Sequence, residues 1–136
     1  MYESLTISIP LFNEEESISN LYNEIIDVLS SIQKDRIAKL LLVNDGSTDN
    51  TAKLLDKYFS EVQDCQIIHH NENKNLDGFL NTAIKSCDTE LIVFLDSDCT
   101  FNPSYIVEML DYLDADTDII NGSPYHPKGK VEGINK

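Results

Sequence analysis

The residues best equipped for chemistry fall in short polar clusters, and the sharpest is Asp96-Ser97-Asp98, set directly after the apolar run Leu91-Ile92-Val93-Phe94-Leu95. Residues i and i+2 at the end of an extended segment point to the same side and lie roughly 7 Å apart, so two carboxylates there can share one ligand. Their hard oxygens suit Mg²⁺ or Mn²⁺, cations that keep coordination positions open for diphosphate oxygens. Asp-x-Asp also arises by chance in solvated turns. Its place after an apolar run favours a ligand, because adjacent carboxylates repel unless a cation or bound group offsets them. A second cluster, Asp45-Gly46-Ser47-Thr48-Asp49, reads equally well in two ways. It is either an Asp-Gly turn with helix-capping residues, or a site where the Asp45 carboxylate takes a hydrogen bond from a nucleobase or ribose and Gly46 lets the ligand approach. A calcium loop fits less well, since the sixth position from Asp45 is Asn50 rather than Gly and the twelfth is Asp56 rather than Glu. The chain has no G-x-G-x-x-G and no G-x-x-x-x-G-K, the main supports for dinucleotide and P-loop sites. His69 and His70 end a third apolar run and are assigned no role, solvated or core-edge histidines being commoner.

The elements that must carry these clusters are written in the apolar pattern. Leu5–Ile9, Leu40–Val43, Gln66–Ile68 and Leu91–Leu95 are short and rich in Ile, Val and Leu, as strands buried on both faces are. Between the first two, Ile18, Leu21, Tyr22, Ile25, Ile26, Leu29 and Ile32 recur at spacings of three and four, the stripe of an amphipathic helix. Asn13 is expected to cap that helix, with Glu16 completing a capping box and Glu14 and Glu15 facing the positive end of the dipole. A second helix is expected from Thr48 or Asp49, burying Ala52, Leu55, Tyr58 and Phe59, and a third burying Phe79, Leu80, Ala83, Ile84 and Cys87. A fourth is expected from Pro103 through Ile106, Val107, Leu110 and Leu113, then a short strand at Asp118–Asn121. Strict alternation of strand and helix predicts an α/β fold with a mainly parallel sheet and helices on both faces. In such a sheet ligands bind beyond the carboxyl ends of the strands, where all the polar clusters lie.

Composition bounds the partners. The 136 residues suit one domain, with one core and no interior linker. Acidic residues outnumber basic ones 24 to 10, for a formal charge of −14. That balance argues against a nucleic-acid partner and means that a phosphate ligand needs a cation. The longest uninterrupted apolar run is far short of the roughly 20 residues that cross a bilayer, and no secretory signal is visible, so a cytoplasmic protein is expected. Cys65, Cys87 and Cys99 match neither a disulfide framework nor a zinc site and are read as reduced, mostly buried thiols.

Taken in order, Ile9-Pro10-Leu11-Phe12-Asn13-Glu14-Glu15, Val43-Asn44-Asp45-Gly46-Ser47-Thr48-Asp49, Asn75 to Gly78 with Asn81, and Phe94-Leu95-Asp96-Ser97-Asp98 resemble family 2 glycosyltransferases of the GT-A fold. Asn121-Gly122-Ser123-Pro124-Tyr125 with Val131-Glu132-Gly133 is similar to the polyprenyl-phosphate branch, typified by dolichol-phosphate mannose synthase. The resemblance implies a three-layer, Rossmann-like GT-A fold and a nucleoside diphospho-sugar donor, GDP-mannose or a UDP-sugar. Its base would lie near Pro10, Phe12, Glu14, Val43 and Asp45. Asp96 and Asp98, with Ser97 between them, would hold the ribose and the divalent cation on the diphosphate. It implies an inverting transfer to a polyprenyl phosphate or, in the wider family, to a glycan hydroxyl. It also implies a chain that covers the donor half of a longer catalytic domain, associated peripherally with the cytoplasmic face of a membrane in the full-length protein.

Three positions depart from the branch: Thr100 stands for a Gln, Phe12 for a Tyr, and Pro124 for the Arg of a Gly-Ser-Arg-Tyr motif. A binding module without turnover is the alternative from another class. A carboxylate phosphoacceptor domain is disfavoured by Pro10 and Asn13, which stand where it needs an acidic cluster.

Overall fold

The computed structural model describes residues 2–123, 125 and 127–129. In chain order they form β1 (Ser4–Leu11), α1 (Ile18–Ile32), β2 (Ile37–Asn44), α2 (Thr51–Phe59), β3 (Cys65–His69), α3 (Asn75–Ser86), β4 (Leu91–Phe94) and α4 (Tyr105–Leu110). The strands make one sheet in the order β3-β2-β1-β4, and every neighbouring pair is parallel.

The pleat sorts each strand's side chains onto two faces with a period of two. On one face Leu5, Ile7, Ile9 and Leu11 of β1 join Ala38, Leu40 and Leu42 of β2. This face is covered by the α1 stripe Ile18, Leu21, Ile25, Val28, Leu29 and Ile32, with Leu55 and Phe59 of α2 and Ile106 and Leu110 of α4. Each such aliphatic side chain taken from water contributes about 2 kcal/mol. On the other face Leu41 and Val43 pack against Phe79 and Ala83 of α3 in a smaller cluster. Helices therefore cover both faces, which is why the strands read as continuous apolar runs rather than alternating ones.

Register sets the level at which each strand ends. Leu11 pairs with Asn44 and Asn44 with His69, so β1, β2 and β3 finish side by side. β4 stops below that level, its last pair being Phe94 with Ser8, and the following residues rise beside the end of β1. From β1 the chain proceeds outward to β2 and β3, then returns to lay β4 on the opposite side of β1. The strand order thus reverses between β1 and β4, where an open parallel sheet has its ligand crevice.

Several local expectations are corrected. Asn13 does not cap α1, which starts at Ile18 after Ser17, and its own backbone is left-handed at φ 51°. Its side chain faces a different helix, as described below. α2 begins at Thr51, later than Thr48 or Asp49, because residues 45–50 are held in the loop by contacts to the first loop. Ile84 is 62% exposed, since the smaller cluster on the α3 face reaches only Phe79, Leu80 and Ala83 on that helix. α4 is confined to Tyr105–Leu110 and leaves Val107 exposed. Residues 118–121 form no strand: Ile119 is 85% exposed, and among the described residues β4 has only β1 as a ladder partner, so no described strand takes up the segment's backbone groups. The three cysteines are free and half-buried, and burial pushes the Cys65 thiol up to about 12. Pro124, Val131, Glu132 and Gly133 lie outside the described residues. No helix among the described residues is long and apolar enough to cross a membrane.

Candidate active site

The loops after β1 and β2 are tied together by side chains that satisfy each other's backbone. Asn13 Oδ1 accepts from the Thr48 amide at 2.8 Å and the Asp49 amide at 3.3 Å, while the Asn13 amide donates to Ser47 Oγ at 2.9 Å. The Glu14 amide donates to Thr51 Oγ1 at 2.9 Å, and Glu15 Oε2 accepts from the Asn50 amide at 3.0 Å. Amides leading into α2 are thus met in part from the neighbouring loop. Asp49 completes the tie, accepting from the Thr51 amide, the Thr51 hydroxyl and the Glu15 amide. Burial alone would raise its pKa, but the hydrogen bonds from Thr51 and Glu15 prevail and hold it below the usual carboxylate value.

Between these loops, the turn after β4 and the start of α3 lies a cleft of about 490 Å³, lined by Pro10, Leu11, Phe12, Glu14, Asp45, Asn73, Asn75, Leu76, Phe79, Asp96, Ser97 and Asp98. Clusters far apart in sequence, from Pro10 to Asp98, therefore share one site at the switch point. The Phe12 ring is 46% exposed, an apolar face offered to a planar ligand. Although β4 ends at Phe94, burial still alternates beyond it: Leu95 and Ser97 are buried, Asp96 and Asp98 exposed. Both carboxylates are thereby delivered to the cleft, and Asp98 Oδ1 is fixed by the Thr100 amide at 2.9 Å.

Asp45 is almost wholly buried at 5% exposure. Its Oδ1 accepts from His70 Nδ1 at 2.7 Å and from the Lys74 amide at 2.8 Å. His70 is assigned no role from sequence, and it is the register of the assembled sheet that reveals it. Asn44 pairs with His69, so the residues one step beyond each, Asp45 and His70, are neighbours. Two readings need correction. Val43 does not line the cleft; at 0% exposure it packs into the small cluster beside α3. Gly46 makes room for the protein rather than a ligand: at φ 72° an added Cβ would lie 2.4 Å from the Glu72 carbonyl carbon. Asn75 and Leu76 line the cleft and belong to the Asn75 to Gly78 stretch that carries the resemblance, whereas Asn73, in a loop without periodicity, went unsignalled. Phe79 was read only as core, yet it both packs and lines the cleft.

The donor set fits Mg²⁺ or Mn²⁺. Asp96 and Asp98 offer hard oxygens on an exposed rim, and the ion pairs Lys39–Asp88, His69–Asp56 and His70–Asp45 involve neither. Among the described residues no three His, Cys, Asp or Glu side chains form a ready-made cage. The remaining positions would thus fall to diphosphate oxygens and water, the usual share for these cations.

A parallel sheet with this strand order, a cleft at its reversal and paired carboxylates beside it is the scaffold of the GT-A glycosyltransferases. The family described as glycosyl transferase family 2 matches residues 6–136, and the chain belongs to it. Among its relatives is the undecaprenyl-phosphate 4-deoxy-4-formamido-L-arabinose transferase of Proteus mirabilis, 27% identical over 118 residues, covering 85% of this chain and 35% of that protein. Another is the poly-beta-1,6-N-acetyl-D-glucosamine synthase of Staphylococcus aureus, 27% identical over 125 residues, covering 90% of this chain and 29% of that protein. Among solved structures, a mannosyltransferase from Pyrobaculum calidifontis in complex with GDP-Man and Mn²⁺ superposes with a TM-score of 0.60 at 22% identity, covering 69% of this chain and 27% of that one. The chain spans roughly a third of the length of these relatives.

Proposed function

We propose that the cleft binds a nucleoside diphospho-sugar and that the protein transfers its sugar, with inversion, to a polyprenyl phosphate. The observation that carries the reading is the gathering of Phe12, Asp45, Asp96 and Asp98 into one cleft at the strand-order reversal. In this assignment Pro10 and Phe12 take the face of the base, Glu14 closes that end, and Asp45 accepts from a base N–H. Asp96 and Asp98 hold the ribose and a divalent cation, with Ser97 lining the cleft between them. When bound, Mg²⁺ or Mn²⁺ supplies positive charge to the departing diphosphate, which an acidic chain does not provide for itself.

The acceptor decides what else is needed. A lipid phosphate, with a second pKa of about 6, is already largely ionised at neutral pH, so positioning supplies most of the remaining catalysis and no general base is named. The undecaprenyl-phosphate relative supports this acceptor. A glycan hydroxyl is the second reading, supported by the equally similar poly-N-acetylglucosamine synthase, and it requires a carboxylate base.

Calorimetry with UDP- and GDP-sugars, with and without Mn²⁺, tests the donor site; saturable binding that needs the cation is expected. Transfer of labelled sugar to undecaprenyl phosphate rather than to an oligosaccharide then tests the acceptor. Binding without product in either assay would select a binding module, and no binding of any nucleotide would remove the reading.

A further inference from the structure

We propose that His70 and Thr82 form a positioning relay that locks Asp45 as a one-way hydrogen-bond acceptor, and that this relay lets the cleft select nucleotides whose base presents a ring N–H. The inference rests on the nucleotide reading above and deepens it by naming residues that need touch no ligand.

His70 continues the β-ladder past the end of β3, its amide donating to the Asn44 carbonyl at 2.8 Å. Asp45 continues past β2 in the same way, its amide donating to the Leu11 carbonyl at 2.8 Å. The imidazole then spans from β2 to α3, with Nδ1 2.7 Å from Asp45 Oδ1 and Nε2 2.7 Å from Thr82 Oγ1. Its side chain is 6% exposed and that of Asp45 7%. A carboxylate only accepts, so the Nδ1 proton lies on the histidine; in the neutral ring Nε2 must then accept from the Thr82 hydroxyl. Asp45 thereby sets the tautomer, and the Thr82 hydroxyl, able to donate or accept, anchors the far end of the ring in that orientation.

The Lys74 amide donates to the same oxygen at 2.8 Å, so every hydrogen bond recorded on this carboxylate falls on Oδ1. Oδ2 is left with acceptor capacity, on a residue that lines the cleft. An acceptor held in place pairs with the ring N–H of uracil or guanine. Opposite cytosine or adenine it would meet a bare ring nitrogen, and two acceptors left facing each other in a closed site are penalised.

The test compares UDP, GDP and CDP binding by calorimetry, with Mn²⁺ present, in the unaltered chain and in His70→Asn and His70→Gln. Asn places an amide N–H near the Nδ1 position, whereas Gln places its amide near Nε2. Expected are preference for UDP or GDP over CDP, affinity within about threefold of the original in His70→Asn, and a loss of about tenfold or more, with loss of base preference, in His70→Gln. Equal losses in both variants would mean packing alone and overturn the relay, as would no loss in either. If the unaltered chain binds no nucleotide at all, the nucleotide reading falls and takes the relay with it. Should the variants not fold, nitrogen-15 spectra of the unaltered chain decide: a protonated Nδ1 on His70 is expected, and a bare Nδ1 overturns the proposal.

Discussion

Asp96 and Asp98 illustrate how two residues of the same type and exposure gain a role from position alone. Both stand on the rim of a cleft that already has an aromatic face and a buried acceptor. Asp96→Ala or Asp98→Ala is therefore expected to weaken Mn²⁺-dependent nucleotide binding by at least about tenfold, read by calorimetry; unchanged affinity would sink the site. Gly46 has the opposite character, a residue chosen for what it lacks. With φ at 72° and backbone of the 72–73 segment within 2.5 Å of any Cβ, Gly46→Ala combines a left-handed penalty with a backbone clash. A loss of about 3 kcal/mol in urea unfolding is expected. A change under about 0.5 kcal/mol, the range of ordinary surface substitutions, would mean that the loop moves aside freely.

Elements here are joined at their ends as much as through their cores. The tie between the β1–α1 and β2–α2 loops is centred on Asn13, whose φ of 51° suits Asn and few other residues. Asn13→Ala is expected to cost about 1–2 kcal/mol, as loss of an N-cap does, and to speed hydrogen exchange at the Thr48 and Asp49 amides. Exchange unaltered at those two amides would show that the tie is incidental. Asp49 adds a pH dependence of known sign. Its carboxyl is held below the usual value in the folded chain, so the stability it contributes is present above the unfolded pKa and is lost as pH falls through the folded one. Asp49→Asn should accordingly flatten the decline of Tm below about pH 5; an equally steep decline in the variant would assign the acid sensitivity elsewhere.

Across the whole molecule the dominant fact is charge. With 24 acidic against 10 basic residues, the folded chain gathers repulsion that the expanded chain relaxes. Raising NaCl from a few millimolar to about 0.15 M shortens the screening length to about 8 Å and should raise Tm. A Tm that falls with salt would show that specific ion pairs outweigh the repulsion. The same excess bears on the proposed function, because a diphosphate approaching an acidic surface would need a cation between them.

The apolar runs by themselves determined the strand and helix order as far as α4, the parallel sheet with both faces covered, and the location of the polar clusters just beyond the strand ends. These follow from local periodicity and from the rule that runs buried on both faces belong to parallel sheets. Tertiary structure alone decided what those runs leave blank. A strand that is apolar on both faces carries no alternation to announce its register. The pairing of Asn44 with His69, and with it the contact of His70 with Asp45, therefore became visible only in the assembled sheet. Asn13 looked like a cap for the helix that follows it, because a capping side chain names no partner. Which loop lay beside it, and so whose amides it satisfied, depended on β1 and β2 coming together. Ile84 and residues 118–121 fail for the same reason: a periodic or β-prone segment is buried or paired only where another element arrives to cover it.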